Sequence, residues 1–155
     1  MRALVFDGPW TMSVKERPDP GPERGEAVVS IEATGICGSD LHGYTGHTGR
    51  RHPGQVMGHE TVGRVVALGE DTTGPSMGSL VTINPVMECG TCQACRDGEE
   101  EECEALRVFG VVPDIDAAFA DMVCVPVRNL VPLKEDMPVV IGALIEPLAV
   151  GTHAV

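Results

Sequence analysis

ECGTCQACRDGEEEEC, residues 88–103, carries four of the chain's six cysteines, at positions 89, 92, 95 and 103. Four thiolates spaced C-x2-C-x2-C-x7-C can close a tetrahedron around Zn²⁺ at Zn–S distances of about 2.3 Å. A filled tetrahedron leaves no position open, so such a site is structural rather than catalytic. Iron–sulfur runs of the bacterial ferredoxin type leave three residues between the third and fourth cysteines and follow the fourth with proline. Here seven residues precede Cys103 and Glu104 follows it, which argues against a cluster. Free or disulfide-bonded cysteines are the remaining reading. The carboxylates Glu99 to Glu102 do nothing for a dianionic tetrathiolate and are expected to face water.

The surrounding chain has 155 residues, enough for one domain with a substantial core. Only 3% of residues are aromatic against 43% hydrophobic overall, so aliphatic side chains must fill that core. Eleven basic against twenty-three acidic residues leave a formal charge of −12. That charge repels phosphate backbones and anionic lipid head groups, so nucleic acid and membrane are excluded as expected partners. No apolar run is long enough for a signal peptide or a membrane span, and a cytoplasmic location is expected. A dense cysteine cluster in a reducing compartment points to metal rather than disulfides.

Upstream of the cysteines, short β-branched runs alternate with Gly and Pro: RALVFDG, MSVKERPDP, EAVVSIEATGIC, TVGRVVALGED and SLVTINPV. Strands of this length in series predict a barrel or sandwich. In AVVSIEAT, Val29, Ile31 and Ala33 alternate with Val28, Ser30 and Glu32, the pattern of a half-buried strand. FADMVCVPVRNLVPL repeats the pattern, with Cys124 expected as a small buried hydrophobe. From DMPVVIGALIEPLAVGTHAV the texture turns to helix formers interrupted by Pro147, predicting a helix or a pair of helical turns.

A second group of metal-ligand types is scattered more widely. Cys37 lies in GICGSDLH, His59 and Glu60 in GHE, and Glu146 in EPLAV. Cysteine, histidine and carboxylate are the donors of catalytic zinc, which keeps a position open for water or substrate. None of these short runs is specific alone. His47, His52 and His153 are read as non-ligands, and Arg50 and Arg51 as a solvated basic pair, with a substrate phosphate or carboxylate as the other reading.

Taken in order, GICGSDLH, GHETVGRVVALG, CGTCQACRDG with its fourth cysteine, and EPLAV resemble the zinc-dependent medium-chain alcohol and polyol dehydrogenases. The likeness runs from residue 1 to 155 and is to the N-terminal catalytic domain. It implies a mainly β fold, a GroES-like partly open β-barrel with a zinc-binding lobe near residues 85–110 and a C-terminal helical segment. It also implies two zincs per chain. Cys37 and His59 match catalytic zinc ligands, and Glu60 matches the neighbouring carboxylate that ligates directly or exchanges with water. Glu146 matches the carboxylate of sorbitol- and threonine-dehydrogenase-like members, where liver-type enzymes carry cysteine. Cys89, Cys92, Cys95 and Cys103 match the structural zinc lobe. Ser39 matches the hydroxyl that touches the substrate oxygen, and His42 a residue of the proton relay to solvent. A turn hydroxyl and a merely packed or solvated imidazole are the plain alternatives for those two.

The implied activity is oxidation of a small alcohol or polyol, activated as a zinc-bound alkoxide, with hydride passing to NAD or NADP in a full-length enzyme that is a homo-oligomer. The Gly-x-Gly-x-x-Gly turn of a dinucleotide fold is not found in these residues. The chain is therefore expected to be a truncated catalytic domain without its Rossmann cofactor domain. Two departures stand out: Gly78-Ser79-Leu80-Val81 replaces the family's Gly-Asp-Arg-Val, and Thr72 stands where a small apolar residue or serine is usual. The competing class is a stand-alone zinc-stabilised binding module, which would have no use for Cys37, His59 and Glu146. A zinc-free quinone reductase would lack the ligand set.

Overall fold

The computed structural model describes residues 1–155. The chain opens with a hairpin, β1 (Arg2–Gly8) and β2 (Thr11–Glu16), whose turn places Trp10 at φ 64°. Trp10 and Tyr44 are bound both ways: Trp10 N–H donates to Tyr44 O at 2.8 Å, and the Tyr44 hydroxyl donates to Trp10 O at 2.9 Å. The hairpin is thereby fastened to the end of the helix α1 (Gly38–Tyr44).

The main sheet has the order β8-β3-β4-β5-β9, all antiparallel, from β3 (Glu26–Thr34), β4 (Thr61–Leu68), β5 (Leu80–Ile83), β8 (Met122–Pro126) and β9 (Leu130–Pro132). Its two edge strands, β8 and β9, are joined by only Val127–Asn129. Four peptide steps reach no more than about 14 Å, while four interstrand spacings in a flat sheet need about 19 Å. The sheet must therefore curl, and two register shifts in the β3–β4 pairing, between Val28 and Val29 and between Ile31 and Ala33, help it to bend. The outcome is a partly open barrel, one of the two forms expected from the run of short strands and the one the resemblance implies.

Aliphatic alternation fills the curl. Ala27, Val29, Val65, Val81, Ile83, Val123, Val125 and Leu130 close around Phe109, all buried. Each buried valine contributes roughly 1.5 kcal/mol or more of apolar transfer energy. Since Val123 and Val125 point inward, Cys124 points outward; it is half-buried, with its thiol 3.4 Å from Glu26 Oε2. Burial, reinforced by that carboxylate, pushes the Cys124 thiol up to about 12. The expected small buried hydrophobe is thus a half-covered thiol on the outer face.

The C-terminal segment forms two helices, α3 (Val139–Ala143) and α4 (Ile145–His153). The break falls at Leu144 rather than at Pro147. Pro147 is the third residue of α4, where a backbone N–H has no helical partner to lose. α3 seats Ala143 against Val62 and Leu80. No helix is long and apolar enough to cross a membrane.

Candidate metal centres

The cysteine lobe is an excursion between β6 (Val86–Met87) and β7 (Arg107–Val108), which pair as its neck. Cys92 precedes the short helix α2 (Gln93–Asp97), Cys95 lies within it, and Gly98 ends it in the left-handed region at φ 78°. A 3₁₀ turn at Glu100–Glu102 then delivers Cys103, the one buried cysteine of the four. Glu99 to Glu102 are exposed, as expected. Behind the neck, Arg128 donates to Glu88 Oε1 and to Glu88 O, at 2.5 and 2.6 Å. Asn129 donates to Asn84 O and Val86 O, at 2.9 and 2.8 Å.

A tetrahedron of thiolates with Zn–S near 2.3 Å sets its sulfurs about 3.8 Å apart. Cys92 and Cys95 Sγ are 3.4 Å apart and Cys89 and Cys95 Sγ 3.9 Å, so the spacing already fits a zinc ion. Backbone N–H groups of Cys89, Thr91 and Cys92 point at sulfur from 3.3 to 3.4 Å and would offset thiolate charge. The thiols are unequal: hydrogen bonding, first from the Thr91 hydroxyl, draws Cys89 down to about 6, whereas desolvation pushes Cys95 up to about 12. A divalent cation resolves that inequality by taking the place of the protons.

The second centre is assembled from distant segments. Cys37 caps the N-terminus of α1: its sulfur accepts from Ser39 N–H at 3.5 Å, and Asp40 Oδ2 accepts from Cys37 N–H at 3.1 Å. His59 and Glu60 lie just before β4. Gly35 N–H donates to Glu60 O at 2.6 Å, Phe119 N–H to Met57 O at 2.8 Å and Ala118 N–H to Gly58 O at 3.1 Å. Gly58 sits at φ 96°, a backbone only glycine takes freely, so the GHE run needs its glycine. A Cβ on Gly35 would meet Glu60 Oε2 at 2.2 Å, which makes Gly35 the cradle of that carboxylate.

Ligand atoms of Cys37, His59 and Glu60 lie within 4.8 Å of one another. His59 is buried, and its Nδ1 has no hydrogen-bond partner, facing Asp40 Oδ1 at 4.0 Å. A buried imidazole with a carboxylate facing Nδ1 has Nε2 left for a cation, and a Cys, His and carboxylate donor set fits zinc as well. Burial pushes the Asp40 carboxyl up, against the opposing pull of His59 and of the Cys37 N–H. Asp40 was hidden in the sequence because Cys-x-x-Asp reads as an ordinary capping pair. Its signal was a carboxylate three residues after a candidate ligand, at a position the fold buries.

Glu146 is not among the three converging side chains. It is half-buried at the start of α4, where burial raises its carboxyl and the charges of His59 and Glu60 both act on it. Ser39 Oγ is buried without a partner, and His42 is exposed with its ring 5.6 Å from that of His47. His47, His52 and His153 are exposed and join neither group. Of the expected solvated pair only Arg50 is exposed, because Arg51 is turned inward. Thr72, one of the departures, has a use: its hydroxyl accepts from Gly25 N–H at 2.7 Å.

A curled antiparallel barrel thus carries a four-cysteine excursion and, beside a helix start, a Cys–His–Glu group, two sets of side chains that could each hold a metal ion. The family model of the alcohol dehydrogenase GroES-like domain matches residues 23–135, and the chain belongs to that family. Among curated proteins, it is 36% identical over 155 residues to L-galactonate-5-dehydrogenase of Escherichia coli (strain K12), covering 100% of this chain and 45% of that protein. Among solved structures, galactitol-1-phosphate dehydrogenase from Escherichia coli superposes with a TM-score of 0.91 at 32% identity, over 99% of this chain and 44% of that one. A zinc-binding dehydrogenase from Sinorhizobium meliloti 1021 bound to NADP superposes with a TM-score of 0.86 at 32% identity, over 98% and 44%. The chain spans less than half the length of these relatives.

Proposed function

We propose that this chain is the zinc-binding catalytic domain of an NAD- or NADP-dependent dehydrogenase of small alcohols or polyols. The observation that carries the reading is the convergence of Cys37, His59 and Glu60 at a site separate from a complete set of four cysteines. One closed and one open ligand set is the pairing of structural and catalytic zinc. Cys37, His59 and Glu60 hold the catalytic ion, with Glu146 as the fourth and most loosely held ligand. Cys89, Cys92, Cys95 and Cys103 hold the structural ion.

Zinc, when bound, supplies Lewis-acid polarisation of a hydroxyl. The chain's own groups do the rest. Cys37 and Ser39 sit at one helix start, and the buried, unpartnered Ser39 Oγ supports a relay in which it accepts the substrate's proton as it gives up its own. His42, exposed on the same helix, passes a proton on to water. Asp40 orients His59 from behind. NAD or NADP is the hydride acceptor, held by a dinucleotide-binding domain outside residues 1–155. The relatives support the class of substrate: two are named for galactonate and for galactitol 1-phosphate, both polyhydroxylated.

Metal analysis tests the reading. Two zincs per chain are expected, falling to one in His59→Ala and leaving the four-cysteine ion in place. A single tetrathiolate zinc in the unaltered chain would point instead to a stand-alone zinc-stabilised module.

A further inference from the structure

Residues 41–59 contain no carboxylate in a chain whose formal charge is −12, yet they hold His42, His47, Arg50, Arg51, His52 and His59. The only formal charges in the loop that leads from α1 to His59 are therefore positive, those of Arg50 and Arg51. Arg51 is the member that turns inward. Its Nη1 donates to Val111 O at 2.9 Å and its Nε to Met57 Sδ at 3.2 Å, two residues before His59. Its side chain passes directly over Gly43 of α1: a Cβ there would meet Arg51 Cγ at 2.7 Å and Nε at 2.8 Å. Gly43 is what lets the guanidinium approach the helix that carries Cys37, Ser39 and Asp40.

Five of the nine arginines are ion-paired, Arg2, Arg24, Arg64, Arg107 and Arg128; Arg51 is not, although it is half-buried. A guanidinium has five N–H donors in a fixed fork. The Val111 and Met57 bonds fix its plane and leave the rest of the fork uncommitted. Its bond to Met57, two residues before His59, and its contact with Gly43 of α1 set Arg51 against both segments that carry the candidate catalytic centre. A half-buried cation held by two bonds and without an ion pair is prepared for an anion that arrives from outside.

We propose that Arg51 is a specificity-determining residue whose guanidinium receives the anionic group, carboxylate or phosphate, of a hydroxylated substrate bound at the Cys37/His59/Glu60 site. This rests on the reading of that site as the alcohol site. Neutral polyols lack the partner for which the fork is held, so the substrate is a hydroxy acid or a sugar phosphate. Arg50, exposed beside it, adds attraction over distance but no fixed geometry.

The test is titration of the 155-residue chain, cobalt-loaded and metal-free, followed by NMR, with D-gluconate, glycerol 1-phosphate and neutral D-glucitol. Arg51→Met is expected to raise the Kd of both anionic probes at least about tenfold, the worth of one charged hydrogen-bonded contact, and to leave glucitol unchanged. Arg51→Lys, which keeps the charge but not the fork, should fall between. Gly43→Ala, which pushes Arg51 aside without removing it, should weaken the anionic probes in the same direction and serves if Arg51→Met does not fold. Unchanged anion affinity in Arg51→Met would overturn the proposal, and so would equal weakening of glucitol, which would make Arg51 a clamp on Val111 only. In a parallel titration with inorganic pyrophosphate, a loss of affinity confined to that probe would assign the residue to the cofactor and overturn the proposal too. Failure of the unaltered chain to take cobalt at Cys37 would sink the alcohol-site reading by itself, because discrimination between gluconate and glucitol is read in the metal-free chain as well.

Discussion

The lobe draws Cys89, Cys92, Cys95 and Cys103 from fifteen consecutive residues, whereas Cys37 and His59 are separated by twenty-two positions and meet only because β3 and β4 pair. In the lobe the metal set and the local fold are the same object: α2, a 3₁₀ turn and a two-residue neck, with none of α2 buried. In the assembled centre the barrel places the ligands. Gly35 is bonded to Glu60 O, Thr61 Oγ1 donates to Ala33 O at 3.1 Å, and Thr82 Oγ1 donates to Thr61 O at 2.7 Å. A metal should thus fold the first region and merely occupy the second.

The largest effect expected from this contrast is in the lobe. Structural zinc in small peptides carries apparent binding free energies of about 10–16 kcal/mol, which there is folding energy. Cys95→Ser should abolish amide protection across residues 88–106 while β3 and β4 stay protected by hydrogen exchange. Retained protection in the lobe would break the contrast. Next in size is Asp40→Asn. The amide can still accept from Cys37 N–H but takes away the carboxylate charge that faces His59 Nδ1 from 4.0 Å, and loss of such a supporting group costs about 10- to 100-fold in metal affinity. A cobalt titration should show that loss at the centre with one thiolate and none at the centre with four. Smallest is Glu146→Ala, expected to ease chelator removal of the zinc at Cys37, His59 and Glu60 by less than about tenfold, since these three converge without it. No change at all would take Glu146 out of the ligand set.

The same contrast explains what the sequence made legible. Cysteine spacing is local information, so the lobe could be read as a unit, and the alternation in AVVSIEAT and MVCVP marked β3 and β8. Expecting Cys124 in the core went against that same period two: its neighbours Val123 and Val125 take the core, so the residue between them cannot. Pro147 looked like a helix break because its place in the first turn depends on where α4 starts, which packing of Ala143 on Val62 and Leu80 decides. Arg51 read as solvated because a basic pair in a Gly-rich loop usually is. Nothing in its neighbours announces a carbonyl sixty residues away at Val111. Asp40 was missed for a related reason, since its meeting with His59 is set by strand pairing rather than by spacing.

Cys37 has two duties, because the sulfur offered to a metal is also the acceptor that starts α1. Serine is among the best residues for starting a helix. Replacement of Cys37 by serine would therefore keep the helix and discard the soft donor, and no strand or core contact would register the change. Drift at this one position can strip a descendant of its chemistry while leaving it well folded and available for some other use. The lobe allows no such quiet exit, since there each lost sulfur is a structural defect exposed to selection.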